Sequence, residues 1–341
     1  MPTRAHKAPP YMATEKLFDL LYMHSPITYS IGRHLVENGY LSNELLVVCG
    51  RNTQWNGPHL SVENDGVWSI ARTCDYLEKV CGVLRAHPEV GLNLYVPHSG
   101  FLVGKLFSIS GVVRKVYYIE EGSAAYDLNN ALQPWASRQV DIGLLTRELE
   151  RRGVLDVLKI DRERLAQLNS IESWFFNARQ PGFSGAFCVS ERAFPTLSNV
   201  TILPMSTMEI IPATETIWLC MLPCLINFVA EHENDKPLLD KFLYGLLMMV
   251  RMQAAMVRNL GGALVIKFHP ADDAYFEADF KDHFYALGTG YRDFFEMNDF
   301  PLGYEPALYN FTKFIVVNDS SALLYIRQFR GQESVVPVKL D

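Results

Sequence analysis

Short apolar runs alternate with segments of helical periodicity along this chain, and that alternation constrains its fold more than any other feature. Leu17 to Met23, Leu45 to Cys49, Leu92 to Val96 and Val112 to Ile119 read as strands in the first half. Thr216 to Leu222, Ala263 to Ile266, Phe314 to Val317 and Val335 to Val338 read as strands in the second, with shorter ones around Ala186 to Val189 and Val200 to Leu203. The helical segments carry their own punctuation. Pro26 to Glu37 has Ser25 as N-cap, Pro26 at its first position and Gly39 beyond its end. Lys236 to Asn259 is a long helix closed by Gly261-Gly262. Ile70 to Arg85, Phe101 to Ser108, Val140 to Arg152 and Asp161 to Asn177 also read as helices, and another begins near Ser320. Strands separated by helices imply right-handed crossovers and parallel sheets.

At 341 residues the chain is long enough for two domains of ordinary size. The expected fold class is α/β, with two Rossmann-like domains of parallel sheet facing each other across a deep cleft. The expected division is 1–190 and 191–341, after the helical middle is broken by Gln180-Pro181-Gly182. Clefts between domains are the usual ligand sites. The net charge of −7 argues against nucleic acid or an anionic membrane as the main partner, while leaving room for a local basic pocket. None of the six cysteines stands in CxxC spacing, so zinc and dithiol chemistry are not expected. They read as buried thiols of a reducing compartment. The N-terminus lacks the apolar core of a signal peptide. Phe242 to Met256 is interrupted by Arg251 and Gln253 and is too short to span a bilayer.

Three of the strands end in polar tips. Val112 to Ile119 leads into Glu120-Glu121-Gly122, Ala263 to Ile266 into Lys267-Phe268-His269-Pro270, and Phe314 to Val317 into Asn318-Asp319-Ser320-Ser321. In open α/β sheets ligands bind just beyond the carboxyl ends of the strands. Adjacent carboxylates on a strand point to opposite faces, so one of Glu120 and Glu121 can be structural while the other faces a cleft as a base. Pro270 biases His269 away from helical geometry, where an imidazole can donate to a phosphate oxygen or deliver a proton. Serine hydroxyls and free amides at a helix start make an anion site. Each tip also has a plainer reading: an acidic turn, a capping histidine, an ordinary N-cap.

Glu305, in PLGYEPALYN, can accept both hydroxyls of a ribose, or simply favour a helix start. Ser25 and Thr28, and His98 in the Pro97-His98-Ser99-Gly100 turn, follow first-half strands and are candidates for contact with an acceptor. Trp135 could stack on a sugar ring or merely pack. The Gly100–Lys105 segment is one residue short of a P-loop, and neither GxGxxG nor GxSxG follows a strand. With no clear DxD, and with Asp272-Asp273 lacking a partner histidine, metal-assisted transfer is not expected.

Taken in order, Glu120-Glu121-Gly122, His269-Pro270 and Ser320-Ser321 resemble the [DE]-[DE]-G, HP and serine-pair motifs of the bacterial-type sialyltransferases. The match consists of scattered motifs between residues 120 and 321. The resemblance implies a GT-B fold and an inverting, metal-independent transfer of sialic acid from CMP-sialic acid to a glycan hydroxyl, galactose-terminated by family analogy. It implies Glu121 as general base, with Glu120 as the alternative, and His269 as phosphate ligand and acid. Ser320 and Ser321 would hold the same phosphate, Glu305 the ribose, and Lys267 and Pro270 would lie near the nucleotide. CMP-sialic acid would be a co-substrate, with no cofactor or metal, and a CMP-Kdo donor or a non-catalytic GT-B-like nucleotide-binding protein are the alternatives. A cytoplasmic location is implied, compatible with peripheral attachment to the inner membrane.

Overall fold

The computed structural model describes residues 15–50, 53, 55–62, 68–87, 89–135, 138–269, 272, 276–318, 320 and 322–340. Among these residues the strands form two sheets in which every pairing is parallel. The first holds β1 (Lys16–Met23), β2 (Glu44–Gly50), β3 (Leu60–Val62), β4 (Val90–Val96), β5 (Val113–Ile119), β6 (Phe183–Cys188) and β7 (Val200–Ile202), in the order β3-β2-β1-β4-β5-β6-β7. The second holds β8 (Ile217–Met221), β9 (Ala263–Lys267), β10 (Thr289–Gly290), β11 (Lys313–Val317) and β12 (Val335–Val338), in the order β10-β9-β8-β11-β12. Both orders reverse direction beside their first strand, as in doubly wound folds. In such folds ligands bind beyond the carboxyl ends at the reversal point, which here falls between β1 and β4 in one sheet and between β8 and β11 in the other.

Central parallel strands bury both faces, and period-two alternation divides their side chains between two layers. Phe18, Leu20 and Tyr22 of β1 face a core that includes Leu77 and Val80 of the Ile70–Leu84 helix. Leu21 and Met23 face the opposite layer. That second layer is continuous with Leu219, Val265, Phe314 and Val316 of the second sheet, so the two sheets share one apolar core. The outer face of the second sheet is covered by the long Lys236–Asn259 helix through Phe242, Leu246 and Val250.

The Pro26–Glu37 helix carries the expected cap in reciprocal form. Ser25 accepts from the Thr28 amide, while the Thr28 hydroxyl accepts from the Ser25 amide at 3.0 Å. Gly39 follows at φ +70°, which suits glycine past a helix end. Ser25→Ala removes one half of this box, and thermal unfolding should show a loss of about 1 kcal/mol.

One expectation requires correction. The helix expected from Asp161 to Asn177 stops at Ala166, with one further 3₁₀ turn at Leu168–Ser170. Beyond it the backbone is claimed by tertiary partners. Ser173 bridges to Trp135, the Phe176 amide bonds Asn130 O, and the Asn177 amide donates to Tyr118 Oη at 2.7 Å. Those partners let Phe175 and Phe176 be buried, which outweighs helical periodicity. The strand at Val200–Ile202 pairs with β6, so the first sheet runs past residue 190, and the change of sheet falls between Ile202 and Ile217.

Candidate active site

The carboxyl ends of three adjacent strands bring Glu121, His24 and His98 together. His24 is the first residue after β1, His98 the second after β4 and Glu121 the second after β5. The His24 imidazole Nε2 contacts Glu121 Oε1, and His98 Nε2 lies 3.8 Å from Oε2. The imidazole side chains are 1% and 6% exposed, against 20% for Glu121, whose Oε2 is nevertheless buried. His24 is fixed by its own amide, which donates to Thr28 Oγ1 at 3.0 Å, and by an edge-on contact with Tyr22. The His98 ring packs against Phe101 and Phe175. The cluster straddles the β1–β4 reversal point, the place where ligands bind in doubly wound sheets.

Glu120 takes the opposite role. It is fully buried, accepting from Tyr126 Oη at 2.6 Å and from the Val189 amide at 2.8 Å. Tyr325, on the Ala322–Arg330 helix after β11, is an electrostatic neighbour of it. Burial pushes the Glu120 carboxyl up from its ordinary value, opposed by these hydrogen bonds. A carboxylate so enclosed presents nothing to an acceptor. The same junction includes Gln328, whose amide donates to Val189 O.

Glu305 lies at this junction too. Its amide donates to Ser30 Oγ at 2.8 Å, which joins it to the Pro26–Glu37 helix. Burial raises its carboxyl from 4.5 to about 7; the Lys267 cation works against that rise and the Glu120 charge adds to it. Lys267, the last residue of β9, also stands 5.7 Å from the centroid of the Tyr291 ring. Thus Lys267, Glu305 and Glu120 are electrostatic neighbours although each comes from a different strand end or loop.

His269 is exposed at the end of β9, and its carbonyl accepts from the Asp272 amide at 2.9 Å. Ligating atoms of His269, Cys224 and Asp272 all lie within 4.8 Å of one another. The Asp272 carboxylate, though, is committed to capping, accepting from the Leu225 and Ile226 amides at 2.8 Å each. Ser320 Oγ accepts from the Ala322 amide at 3.2 Å at the start of the Ala322–Arg330 helix. Pro270 and Ser321 lie outside the described residues.

Ser25 and Thr28 serve the helix cap, and Thr28 also positions the His24 backbone. Trp135 donates its indole N–H to Asn130 Oδ1 at 2.9 Å and leans on Phe101 and Phe175, the rings that also hold His98. Its ring is 36% exposed, so it can still offer an apolar surface beside His98. Sequence reasoning missed His24 and Tyr325. His24 has a signal, being a histidine at the carboxyl end of an apolar run, as His269 is.

No family model matches this sequence, and no curated protein does. Among solved structures, a sialyltransferase from Photobacterium damsela is similar at a TM-score of 0.40 and 9% sequence identity, over 96% of this chain and 82% of that one.

Proposed function

We propose that this protein is an inverting, metal-independent glycosyltransferase of GT-B architecture that moves sialic acid from CMP-sialic acid to a glycan hydroxyl. In this reading residues 15–202 form the acceptor-side domain and 217–340 the donor-side domain. The observation that carries it is the junction in which the Val189 amide donates to Glu120 while the Gln328 amide, on the Ala322–Arg330 helix, donates to Val189 O. It draws the Glu-Glu-Gly tip toward the helix that follows the serine tip, so that a base and a phosphate site can serve one substrate pair.

Glu121 takes the proton of the acceptor hydroxyl, oriented by His24 and His98. The acceptor oxygen then attacks the anomeric carbon, and the bond to the phosphate oxygen breaks with its electron pair leaving on CMP. His269, Ser320 and Ser321 receive that phosphate, Glu305 the ribose, and Lys267 stands near the nucleotide. A phosphate leaving group of low basicity needs hydrogen-bond donors more than a divalent ion. One base opposite one phosphate site makes a single displacement, which inverts the anomeric centre.

The test is CMP release from CMP-sialic acid and from CMP-Kdo, with and without a lactose-type acceptor, followed by linkage analysis. Acceptor-dependent release from CMP-sialic acid with inversion is the expected result. Release from CMP-Kdo alone would change the donor, and CMP binding without release from either would leave a nucleotide-binding protein.

A further inference from the structure

We propose that His24, His98 and Glu121 form a binding site for a divalent transition-metal ion of the zinc class, and that an ion there withdraws Glu121 from use as a base. Two imidazole nitrogens and one carboxylate converge with their ligating atoms within 4.8 Å of one another. Two nitrogens and one oxygen suit Zn²⁺, Co²⁺ or Ni²⁺, whereas Mg²⁺ and Ca²⁺ take oxygen ligands. A tetrahedral ion with bonds of about 2.0–2.1 Å has ligand–ligand edges of about 3.3 Å. With Oε2 as the Glu121 ligand atom, the 3.8 Å separation from His98 Nε2 needs only a small contraction to reach that edge.

The platform is rigid. The three residues leave three neighbouring parallel strands, β1, β4 and β5, and both imidazoles are buried. Three protein ligands leave a fourth position for water or a substrate oxygen, the pattern of open rather than structural zinc sites. The second cluster, Cys224, His269 and Asp272, is a poorer site. Its carboxylate is spent on two backbone amides, and burial pushes the Cys224 thiol up, away from the thiolate a metal needs.

The metal site stands on geometry alone, whereas its inhibitory effect rests on Glu121 being the base of the proposed transfer. Both are tested on the full chain. Titration with Co²⁺ should give one equivalent of visible ligand-field absorption typical of low coordination number, displaced by Zn²⁺. Glu121→Gln and His24→Gln should each weaken Co²⁺ binding by about tenfold or more, with circular dichroism unchanged. Cys224→Ser should leave the titration as it is. If wild type takes up no Co²⁺, or if both ligand variants bind it like wild type, the site is overturned. With the site confirmed, Zn²⁺ should suppress acceptor-dependent CMP release in step with its occupancy, and undiminished release at full occupancy would overturn the inhibitory role. If no CMP-sugar is turned over while Co²⁺ still binds through these ligands, the transferase reading fails and the metal site remains.

Discussion

Glu121→Gln should lower the rate of sialyl transfer by about 10²–10⁴-fold, the usual worth of a positioned general base, while leaving CMP affinity unchanged. The substitution keeps the size of the side chain and an oxygen beside His24, so the surrounding strand ends have no reason to move. What disappears is the capacity to accept the acceptor proton. CMP affinity is spared because, among the described residues, Glu121 contacts His24 and His98, which follow strands of the first sheet, whereas the proposed phosphate ligands follow β9 and β11. Single-turnover transfer and CMP titration separate the two quantities. A variant that transfers at the wild-type rate would remove Glu121 as base, and one whose loss lies in CMP binding would move it to the donor side. Glu120→Gln makes the informative contrast. Both Glu120 oxygens accept hydrogen bonds in the buried junction, and an amide nitrogen in place of one of them faces a donor. Its expected phenotype is therefore lost stability, with activity following the folded fraction.

The split between these two acids shows how far the sequence reaches. Period-two alternation makes opposite faces for Glu120 and Glu121 legible from their adjacency. Which of them is sealed depends on Tyr126, Val189 and Tyr325, and Tyr325 lies some two hundred residues further along the chain. The helices at Pro26–Glu37 and Lys236–Asn259 are legible to the residue because caps and glycines are local signals. The contact between His24 and Glu121 spans 97 positions and leaves no local trace. The overlong helix expected at 161–177 errs for the same reason, since its end is set by tertiary hydrogen bonds to Asn130 and Tyr118. The serine tip reads as a helix start and is one, at Ala322. What a tip binds is decided by what stands across from it, and only the folded chain supplies that.

Glu305 leads to the second large effect. Its carboxyl is raised from 4.5 to about 7 by burial, so between those values the native protein keeps a proton that the unfolded chain has released. Stability therefore falls as pH rises through this window. The stabilisation is fully present below about pH 4.5 and gone above about pH 7, a loss on the order of 3 kcal/mol for this group. Glu305→Gln removes the titration while leaving the backbone hydrogen bond to Ser30 in place. Urea unfolding should then show a flatter profile, with the variant more stable than wild type by about 3 kcal/mol at pH 8 and near parity at pH 4.5. Removing the Glu305 charge also eases ionisation of Glu120, which acts in the same direction. An unchanged slope would mean that the carboxyl is ionised in the native state across the whole range, held so by the Lys267 cation. On the proposed reading, the stabilised variant should also bind CMP more weakly, because the amide no longer offers two acceptors to the ribose hydroxyls. A buried acid that costs stability at neutral pH is retained where it meets a ligand, and weaker CMP binding in a more stable protein is the combination that assigns Glu305 to the donor site.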